Sequence, residues 1–270
     1  MTVQGASAGA GASVVIRRAG EGEDYDWEND HIFVKVSSAE SNGVLTMVQD
    51  NVKPGFNLGL HLHDTHTEIF YILDGTIHWT VGADTFTTDP GAVVYVPGGV
   101  PHAARSGTGA RMLMFYAPAG FDKMLAEIEN APWYKRYNPI AIANRNTRYD
   151  FRTASPGDTR TTPGPAPVHV RPDEGVVTQD KAGSRTAKLD TADTGGLASM
   201  AVQRLDAGAT YAPDRSASQL EVLYVLDGTV NVDAGGQAHT VTTGGTVYLP
   251  AGVEGSATST AGATLLVYRM

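Results

Sequence analysis

Short runs of apolar residues, broken by glycine, proline and Asp-Gly pairs, recur along the whole chain. The runs are rich in Val, Ile, Tyr and Thr and are separated by turn residues at intervals of about 8–15 residues, the spacing of closely packed antiparallel strands. Within one such run, Glu68, Phe70 and Ile72 share one strand face, and the alternate residues share the other. The pattern predicts an all-β chain built from antiparallel barrels.

The chain contains an internal duplication. Residues 68–76 read EIFYILDGT and residues 221–229 read EVLYVLDGT. The offset of 153 residues continues without a gap on both sides, where Lys35 matches Lys188 and Gly99 matches Gly252. A repeat of this length predicts two copies of one barrel fused in a single chain.

Two segments between the copies have a different character. Four apolar residues at helical spacing predict a short helix that packs on the first barrel: Phe121, Met124, Leu125 and Ile128. Residues 155–172 contain five prolines among Thr, Gly and Ala, which is typical of an extended connector. We therefore predict four regions: a flexible N-terminal tail (1–24), the first barrel with its helix (25–152), a linker (153–175) and the second barrel (176–270).

Composition and charge exclude several classes of function. The net charge is −9, with 20 basic and 29 acidic residues, and no cluster of Lys and Arg suits a nucleic acid. The chain has no cysteine, so any metal must be bound by His and carboxylate. No apolar run reaches the roughly 18 residues of a membrane span, so we expect a cytoplasmic protein without a membrane or nucleic-acid partner.

Histidines cluster in the first copy. His61 and His63 lie at i and i+2, so on a strand both imidazoles face one side. Glu68 begins the next apolar run and needs a cation inside an apolar barrel. His102 follows a Pro-Gly-Gly turn, and antiparallel barrels bring such distant residues into register. Together these residues predict a site for one divalent transition metal (Fe, Ni, Co, Mn, Cu or Zn) with an open coordination position.

The spacing of these residues resembles the two signature motifs of the cupin superfamily. The motifs read Gly55-x5-His61-x-His63-x4-Glu68-x6-Gly75 and Gly91-x5-Pro97-x-Gly99-x2-His102. Ser106 stands where the second motif ends in asparagine. The resemblance implies two tandem cupin barrels of the double-stranded β-helix, or jelly-roll, type, with a short connecting helix and a Pro-rich linker.

The second copy lacks the three histidines of this predicted metal site. At the offset of 153, His61 becomes Asp214, His63 becomes Ser216, His102 becomes Gly255 and Glu68 persists as Glu221. We therefore expect a structural second barrel without metal ligands, packed edge to edge on the first.

Residues 25–150 also resemble the quercetin 2,3-dioxygenase-like bacterial cupins, from Trp27 through the metal motif to Ala117-Pro118-Ala119-Gly120-Phe121. This resemblance implies a metal-dependent dioxygenase, an oxidoreductase that joins O2 to a small enolisable substrate of aromatic, flavonol or polyketide type. Glu68 would be its catalytic residue, acting as ligand or general base. The candidate pocket residues are His66, Phe70, Ile72, Met112 and Met114.

Two other functions are compatible with the same residues. One is a non-oxidative isomerase, cyclase or decarboxylase that uses the metal as a Lewis acid. The other is a non-catalytic small-molecule-binding protein. A homodimer is a further expectation for the whole chain.

Overall fold

A computed structural model describes residues 13–160, 163–213 and 216–270. These residues form 22 strands and three helices. The strands up to residue 117 are β1 (Val15–Arg17), β2 (Glu23–Asp26), β3 (Asp30–Val36), β4 (Thr46–Val52), β5 (Phe56–Leu62), β6 (Thr67–Gly75), β7 (Ile77–Val81), β8 (Asp84–Thr88), β9 (Val93–Val96), β10 (His102–Ser106) and β11 (Ala110–Ala117). The helices α1 (Phe121–Asn130), α2 (Trp133–Arg136) and α3 (Pro139–Arg148) follow. The remaining strands are β12 (Arg152–Thr153), β13 (Val168–Val170), β14 (Val176–Asp180), β15 (Gly183–Leu189), β16 (Ser199–Leu205), β17 (Thr210–Tyr211), β18 (Glu221–Ala234), β19 (Gln237–Thr242), β20 (Thr246–Leu249), β21 (Gly255–Thr258) and β22 (Ala263–Arg269).

The first barrel consists of two antiparallel sheets. The larger sheet has the order β13-β9-β6-β11-β4-β3-β2, and the smaller sheet has the order β12-β5-β10-β7-β8. Strand alternation directs one face of each sheet inward, where Phe70, Trp79 and Met112 join a single apolar core. Phe70, Trp79 and Met112 also line a cavity inside the barrel.

The second barrel repeats this plan. Its strands form one continuous network, because the 14-residue strand β18 pairs with β20 and β22 along its first part and with β19 and β21 along its second part. The interior is apolar and includes Leu223, Val232 and Leu265. The predicted all-β fold of two antiparallel barrels is confirmed.

The two barrels exchange a short strand with each other. β1 pairs with β20 of the second barrel, and β13 pairs with β9 of the first. β1 and β13 are equivalent at the 153-residue offset, and so are β9 and β20, so the exchange is reciprocal. Because an uncovered sheet edge exposes unpaired backbone groups, each exchanged strand covers an edge of the other barrel.

This exchange differs from the predicted division of the chain. Val15–Arg17 lies in the predicted flexible tail and Val168–Val170 in the predicted linker, yet both segments are paired strands. Of the tail, residues 1–12 lie outside the described residues. A sequence signal was available, since Arg18-x2-Glu21-Gly22 recurs as Arg171-x2-Glu174-Gly175.

The packing between the barrels also differs from the predicted edge-to-edge contact. Outward-facing apolar side chains of both barrels form one shared core, in which the rings of Phe115 and Tyr268 stack at 4.5 Å between centroids. The Tyr224 hydroxyl donates a buried 3.0 Å hydrogen bond to Oε1 of Gln49 across this contact. The barrels therefore meet face to face, and only the exchanged strands extend along the edges.

Two of the three helices, α1 and α3, line the cavity of the first barrel. α1 covers the predicted helix, and the Asp122 carboxylate anchors it by accepting hydrogen bonds from Ser38 and Thr46. The sequence prediction missed α2 and α3. Asn138 caps α3 by accepting hydrogen bonds from two backbone N–H groups, and Pro139 follows as the first helical residue. No helix among the described residues is long and apolar enough to cross a membrane.

Candidate metal centre

Four side chains converge inside the first barrel. His61 lies on β5, His63 follows directly after β5, Glu68 lies on β6 and His102 begins β10. Their ligand atoms all lie within 4.8 Å of one another, and all four residues are buried. β5 and β10 are paired so that His61 and His102 are direct cross-strand partners. The sequence-predicted ligand set is thus brought together.

The three imidazoles are oriented by backbone carbonyl groups. Each Nδ1 lies at hydrogen-bond distance from a carbonyl oxygen, which can only accept, so Nδ1 carries the proton and Nε2 keeps its lone pair. The pairs are His61 with Gly59 at 2.8 Å, His63 with Asp150 at 2.6 Å and His102 with Val100 at 2.9 Å. The histidines are therefore prepared as neutral ligands.

The charges of the site fit a bound cation. Nε2 of His102 lies 2.7 Å from Oε2 of Glu68, yet neither buried atom has a hydrogen bond of acceptable geometry. Burial, and secondly the neighbouring His102, lower the pKa of His61 to about 3. Burial works to raise the pKa of Glu68, but in the absence of a metal the protonated forms of His63 and His102 outweigh it and lower that pKa to about 2. The Glu68 carboxylate therefore keeps its charge and needs a cation beside it, which a bound metal would provide in place of those protons. Two electron-pair donors in close contact need a positive ion between them, and three neutral imidazoles with one carboxylate suit a divalent transition metal.

Among the described residues, no second group of this kind exists. In the second barrel, Ser216 and Gly255 offer no imidazole, and Asp214 lies outside the described residues. Glu221 is fully buried and pairs with Arg269, whose Nε lies 2.7 Å from its Oε2. The metal-binding cluster therefore belongs to the first barrel, and it accounts for one divalent transition metal per chain.

A cavity of about 250 Å³ opens beside the four ligands. Most of its wall is apolar and comes from the barrel and the helices. The apolar and aromatic members are Trp27, Ile32, Phe56, Leu58, Phe70, Trp79, Ala104, Met112, Met114, Tyr116, Phe121, Met124, Leu125, Ile128, Ile142 and Phe151. A metal with open positions would face a largely water-poor space.

The predicted pocket residues divide into two groups. Phe70, Met112 and Met114 line the cavity, whereas Ile72 and His66 do not. Ile72 shares the inward face with Glu68 and Phe70 but lies deeper in the closed core, fully buried. His66 turns away because its Nδ1 donates a 2.8 Å hydrogen bond to Asp150. His66 is thus a support of the cavity rather than part of its wall.

Asp150 lies just after α3 and connects the helices α1–α3, which form the helical cover, to the metal ligands. It was not identified from the sequence. Its carboxylate accepts hydrogen bonds from the backbone N–H groups of Asp64, Thr65 and His66 and from the Thr65 hydroxyl. Burial opposes this charge, but the bonds from Thr65 and His66 hold the pKa of Asp150 well below its usual range. The next residue, Phe151, stacks on the His61 ring at 4.4 Å. The turn between the ligand strands is therefore fixed by a residue more than 80 positions away.

Three more polar residues of the wall had no sequence signal: Asp50 on β4, Asp30 on β3 and Arg145 on α3. Asp50 is 3 % exposed, and its Oδ1 has no hydrogen-bond partner among the described residues. Burial, and secondly the charge of Asp30, raise the pKa of Asp50 well above its ordinary value. The cavity thus holds a carboxyl group that keeps its proton when surface carboxyl groups have lost theirs.

Comparison with known proteins supports the fold. Two regions, residues 49–116 and 201–264, match the family model described as a cupin domain. Lactobacillus farciminis oxalate decarboxylase in a formate complex superposes with a TM-score of 0.66 at 14 % identity, covering 94 % of this chain and 85 % of that chain. Bacillus subtilis oxalate decarboxylase at pH 4.6 gives a TM-score of 0.65 at 17 % identity, covering 97 % and 77 %.

A further Bacillus subtilis oxalate decarboxylase structure, from a study of its Mn(II) centres, gives a TM-score of 0.65 at 16 % identity and covers 97 % and 78 %. No curated protein sequence matches the chain. At these identities the solved structures show a shared fold only. The predicted architecture of two tandem cupin barrels is confirmed.

Proposed function

We propose that the chain is a metal-dependent enzyme that catalyses a redox-neutral reaction, decarboxylation of a small organic acid, in the cavity of the first barrel. The observation that carries this proposal is the buried carboxyl group of Asp50, whose Oδ1 has no hydrogen-bond partner among the described residues, on the same cavity wall as the four metal ligands. Burial, and secondly the charge of Asp30, raise its pKa and so favour the protonated form. Loss of CO2 leaves an electron pair on carbon that must receive a proton. A carboxylic acid kept neutral inside an apolar cavity can deliver that proton.

The metal ligands would be His61, His63, Glu68 and His102. A divalent metal bound there supplies a Lewis acid that polarises a substrate carbonyl group. When the bond from carbon to the carboxylate breaks, CO2 leaves, and Asp50 donates its proton to form the new C–H bond. No oxidant or reductant is needed, because the electron pair of the broken bond becomes that of the new one.

Asp30 is placed to return a proton to Asp50. It lies on the neighbouring strand and lines both the central cavity and an outer groove. Burial raises its pKa, although Lys53 opposes this. Asp30 is half-buried while Asp50 is buried, so the two carboxyl groups form a path from solvent to the cavity.

The solved neighbours add support from outside the chain. Those named above are oxalate decarboxylases, and one of the structures concerns their Mn(II) centres. Redox-neutral chemistry on a carboxylic acid is thus compatible with this fold. Mn(II) is the first metal to supply in reconstitution.

The dioxygenase predicted from the quercetin 2,3-dioxygenase-like resemblance is the second candidate. The apolar wall near the ligands favours it, because Phe70, Trp79 and Met114 would hold an aromatic substrate and exclude water. In that reaction Glu68 would act as general base toward an enolic proton. Asp50 would then have no chemical role.

The test follows CO2 release and O2 uptake together. Mn(II)-reconstituted protein is incubated with 3-oxo acids and aromatic carboxylic acids, in air and under strict anoxia. We expect equal CO2 release in both conditions and no O2 uptake. Asp50→Asn should slow release about 100-fold or more with unchanged metal content, whereas exposed Asp74→Asn should not. O2 uptake in proportion to substrate loss would instead support the dioxygenase.

Glu68→Gln distinguishes ligand from base. In the proposed decarboxylation Glu68 acts as a ligand only, so we expect turnover to fall in proportion to metal content. A turnover that falls further than metal content, with the three imidazoles still binding the metal, would instead support the base role that the dioxygenase requires.

A further inference from the structure

The helical cover carries a buried cation toward the cavity. Arg145 lies on α3 and lines the cavity together with Ile142 and Asn146. The residue is only 8 % exposed, and its Nε has no hydrogen-bond partner among the described residues. A guanidinium group stays charged even when buried, so an unpaired one inside a protein calls for a partner.

Glu127, the acidic side chain whose charge acts on Arg145, forms its ion pair with Arg148 instead. Burial lowers the pKa of Arg145, and Glu127 on α1 opposes this shift. Glu127 Oε2, however, already accepts hydrogen bonds from Arg148 at 2.6 Å and from the Tyr149 hydroxyl at 3.1 Å. The charge of Glu127 is therefore shared with Arg148, which leaves the Arg145 guanidinium without a matching anion.

The remaining wall restricts what that anion can be. Between the helices and the metal ligands the cavity is lined by side chains such as Leu58, Phe70 and Met124. An inorganic anion would leave this apolar surface without a contact. An organic anion with an apolar body would satisfy both parts of the wall.

We propose that Arg145 binds the carboxylate of the substrate, and that the substrate class is a small carboxylic acid with an aromatic or similarly apolar body. This inference rests on the proposed function in one respect, namely that this cavity is the substrate site. Binding of an anion at Arg145 does not depend on which reaction the substrate then undergoes. Arg145 acts by orienting the substrate, since a planar guanidinium can hold a carboxylate through two parallel hydrogen bonds.

A matched pair of probes tests the subsite directly. Phenylacetate and phenylacetamide have nearly the same shape, but only phenylacetate is charged. Their affinities are measured by calorimetry on Mn(II)-reconstituted full-length protein. We expect phenylacetate to bind about tenfold more tightly, because a charge-assisted pair is stronger than a neutral one.

Variants of arginine separate charge recognition from support of the helix. Arg145→Gln should weaken phenylacetate about tenfold and leave phenylacetamide within a factor of about three, while Arg145→Lys should retain part of the preference. Arg105→Gln removes an exposed arginine of β10 with the same change of charge and should have no effect. The preference should persist in His61→Ala/His63→Ala, which removes the contribution of the metal.

Three results would overturn the inference: equal affinity for acid and amide, no measurable binding of phenylacetate, or equal weakening of both probes in Arg145→Gln. The last would make Arg145 a support of α3 only. Failure of the proposed reaction looks different, since the acid preference would remain while no CO2 is released. If CO2 is released but phenylacetate binds no better than phenylacetamide, the carboxylate subsite at Arg145 is refuted while the proposed reaction stands.

Discussion

The same glutamate has different partners in the two barrels. Glu68 in the first barrel faces the imidazoles of His63 and His102. Its counterpart Glu221 in the second barrel binds Arg269 and accepts a 2.9 Å hydrogen bond from Tyr211. A buried carboxylate needs a cation in either barrel. The first barrel is built to take that cation from solution, whereas the second supplies it from its own sequence.

The replacement is visible position by position. Arg269 occupies the place that Tyr116 has in the first barrel, at the same 153-residue offset. Gln203 likewise occupies the place of Asp50, so the second barrel has a neutral amide where the first has an acid. The difference between a metal centre and a structural core thus rests on a handful of inward-facing residues within a conserved pattern of turns.

Removing the metal ligands is the strongest way to break the comparison. His61→Ala/His63→Ala should reduce bound transition metal from about one equivalent per chain to background, because half of the donor set is gone. Elemental analysis of protein purified without added metal measures this. Two equivalents in the unchanged protein would mean that the second barrel also binds metal.

Removing the internal cation tests the second barrel in the same way. Arg269→Met should cost about 3–5 kcal/mol in the free energy of unfolding, because Glu221 is left charged and buried. The double variant Glu221→Gln/Arg269→Met should recover most of this loss, since both members of the buried ion pair are gone. Denaturant unfolding followed by circular dichroism compares them. An unchanged free energy of unfolding in Arg269→Met would show that the buried Glu221 does not depend on Arg269.

A smaller loss of stability is expected when Lys35 or Lys188 is replaced. Each of these lysines binds the segment that follows an exchanged strand. Buried Lys35 donates to the carbonyls of Arg18 and Glu21, and buried Lys188 donates to three carbonyls of the equivalent segment. Lys35→Met and Lys188→Met should each cost about 1–3 kcal/mol, with the larger loss at Lys188.

Limited proteolysis alongside denaturant unfolding measures both variants, and exposed Lys123→Met on α1 is the matched control. Equal stability of all three proteins would show that these contacts do not hold the segments.

The smallest effect concerns Asp50 and its neutral counterpart Gln203. The pKa of Asp50 is raised in the folded chain, so above about pH 4 the native state keeps a proton that the unfolded chain releases. The stability that the protonated Asp50 contributes is fully present below about pH 4 and is lost as the pH rises through the raised pKa. Asp50→Asn does not lose stability in this way. Its free energy of unfolding, relative to that of the unchanged protein, should therefore rise between pH 5 and 8.

Unfolding midpoints of both proteins at each pH measure this difference. A constant difference across the range would show that Asp50 is ionised like a surface carboxyl group.

Sequence alone predicted what depends on local spacing. The ligands lie on strands whose period of two residues fixes their direction, so His61, His63 and Glu68 could be assigned to one face. The repeat itself identified the barrel that lacks the three ligand histidines. Ile72 shows the limit of this reasoning, because a common face does not tell how deep a residue lies.

The helical cover escaped prediction for a physical reason. Asp150, Phe151 and Arg145 reach the site from a segment without strand periodicity. Their positions depend on tertiary contacts, such as the hydrogen bonds that Asp150 accepts from the turn between β5 and β6. Arg269 escaped for another reason, since an arginine in place of a tyrosine gives no sign of its partner until the strands are paired.

The reciprocal strand exchange also sets an order for biosynthesis. β1 is synthesised before its partner β20, which lies more than 220 positions further along the chain. β9 must likewise wait for β13, about 75 residues later. Contacts between such distant segments slow folding, because a large loop must close before they form. The metal-binding barrel therefore cannot complete its larger sheet until translation has passed the linker, and the two halves mature as one cooperative unit.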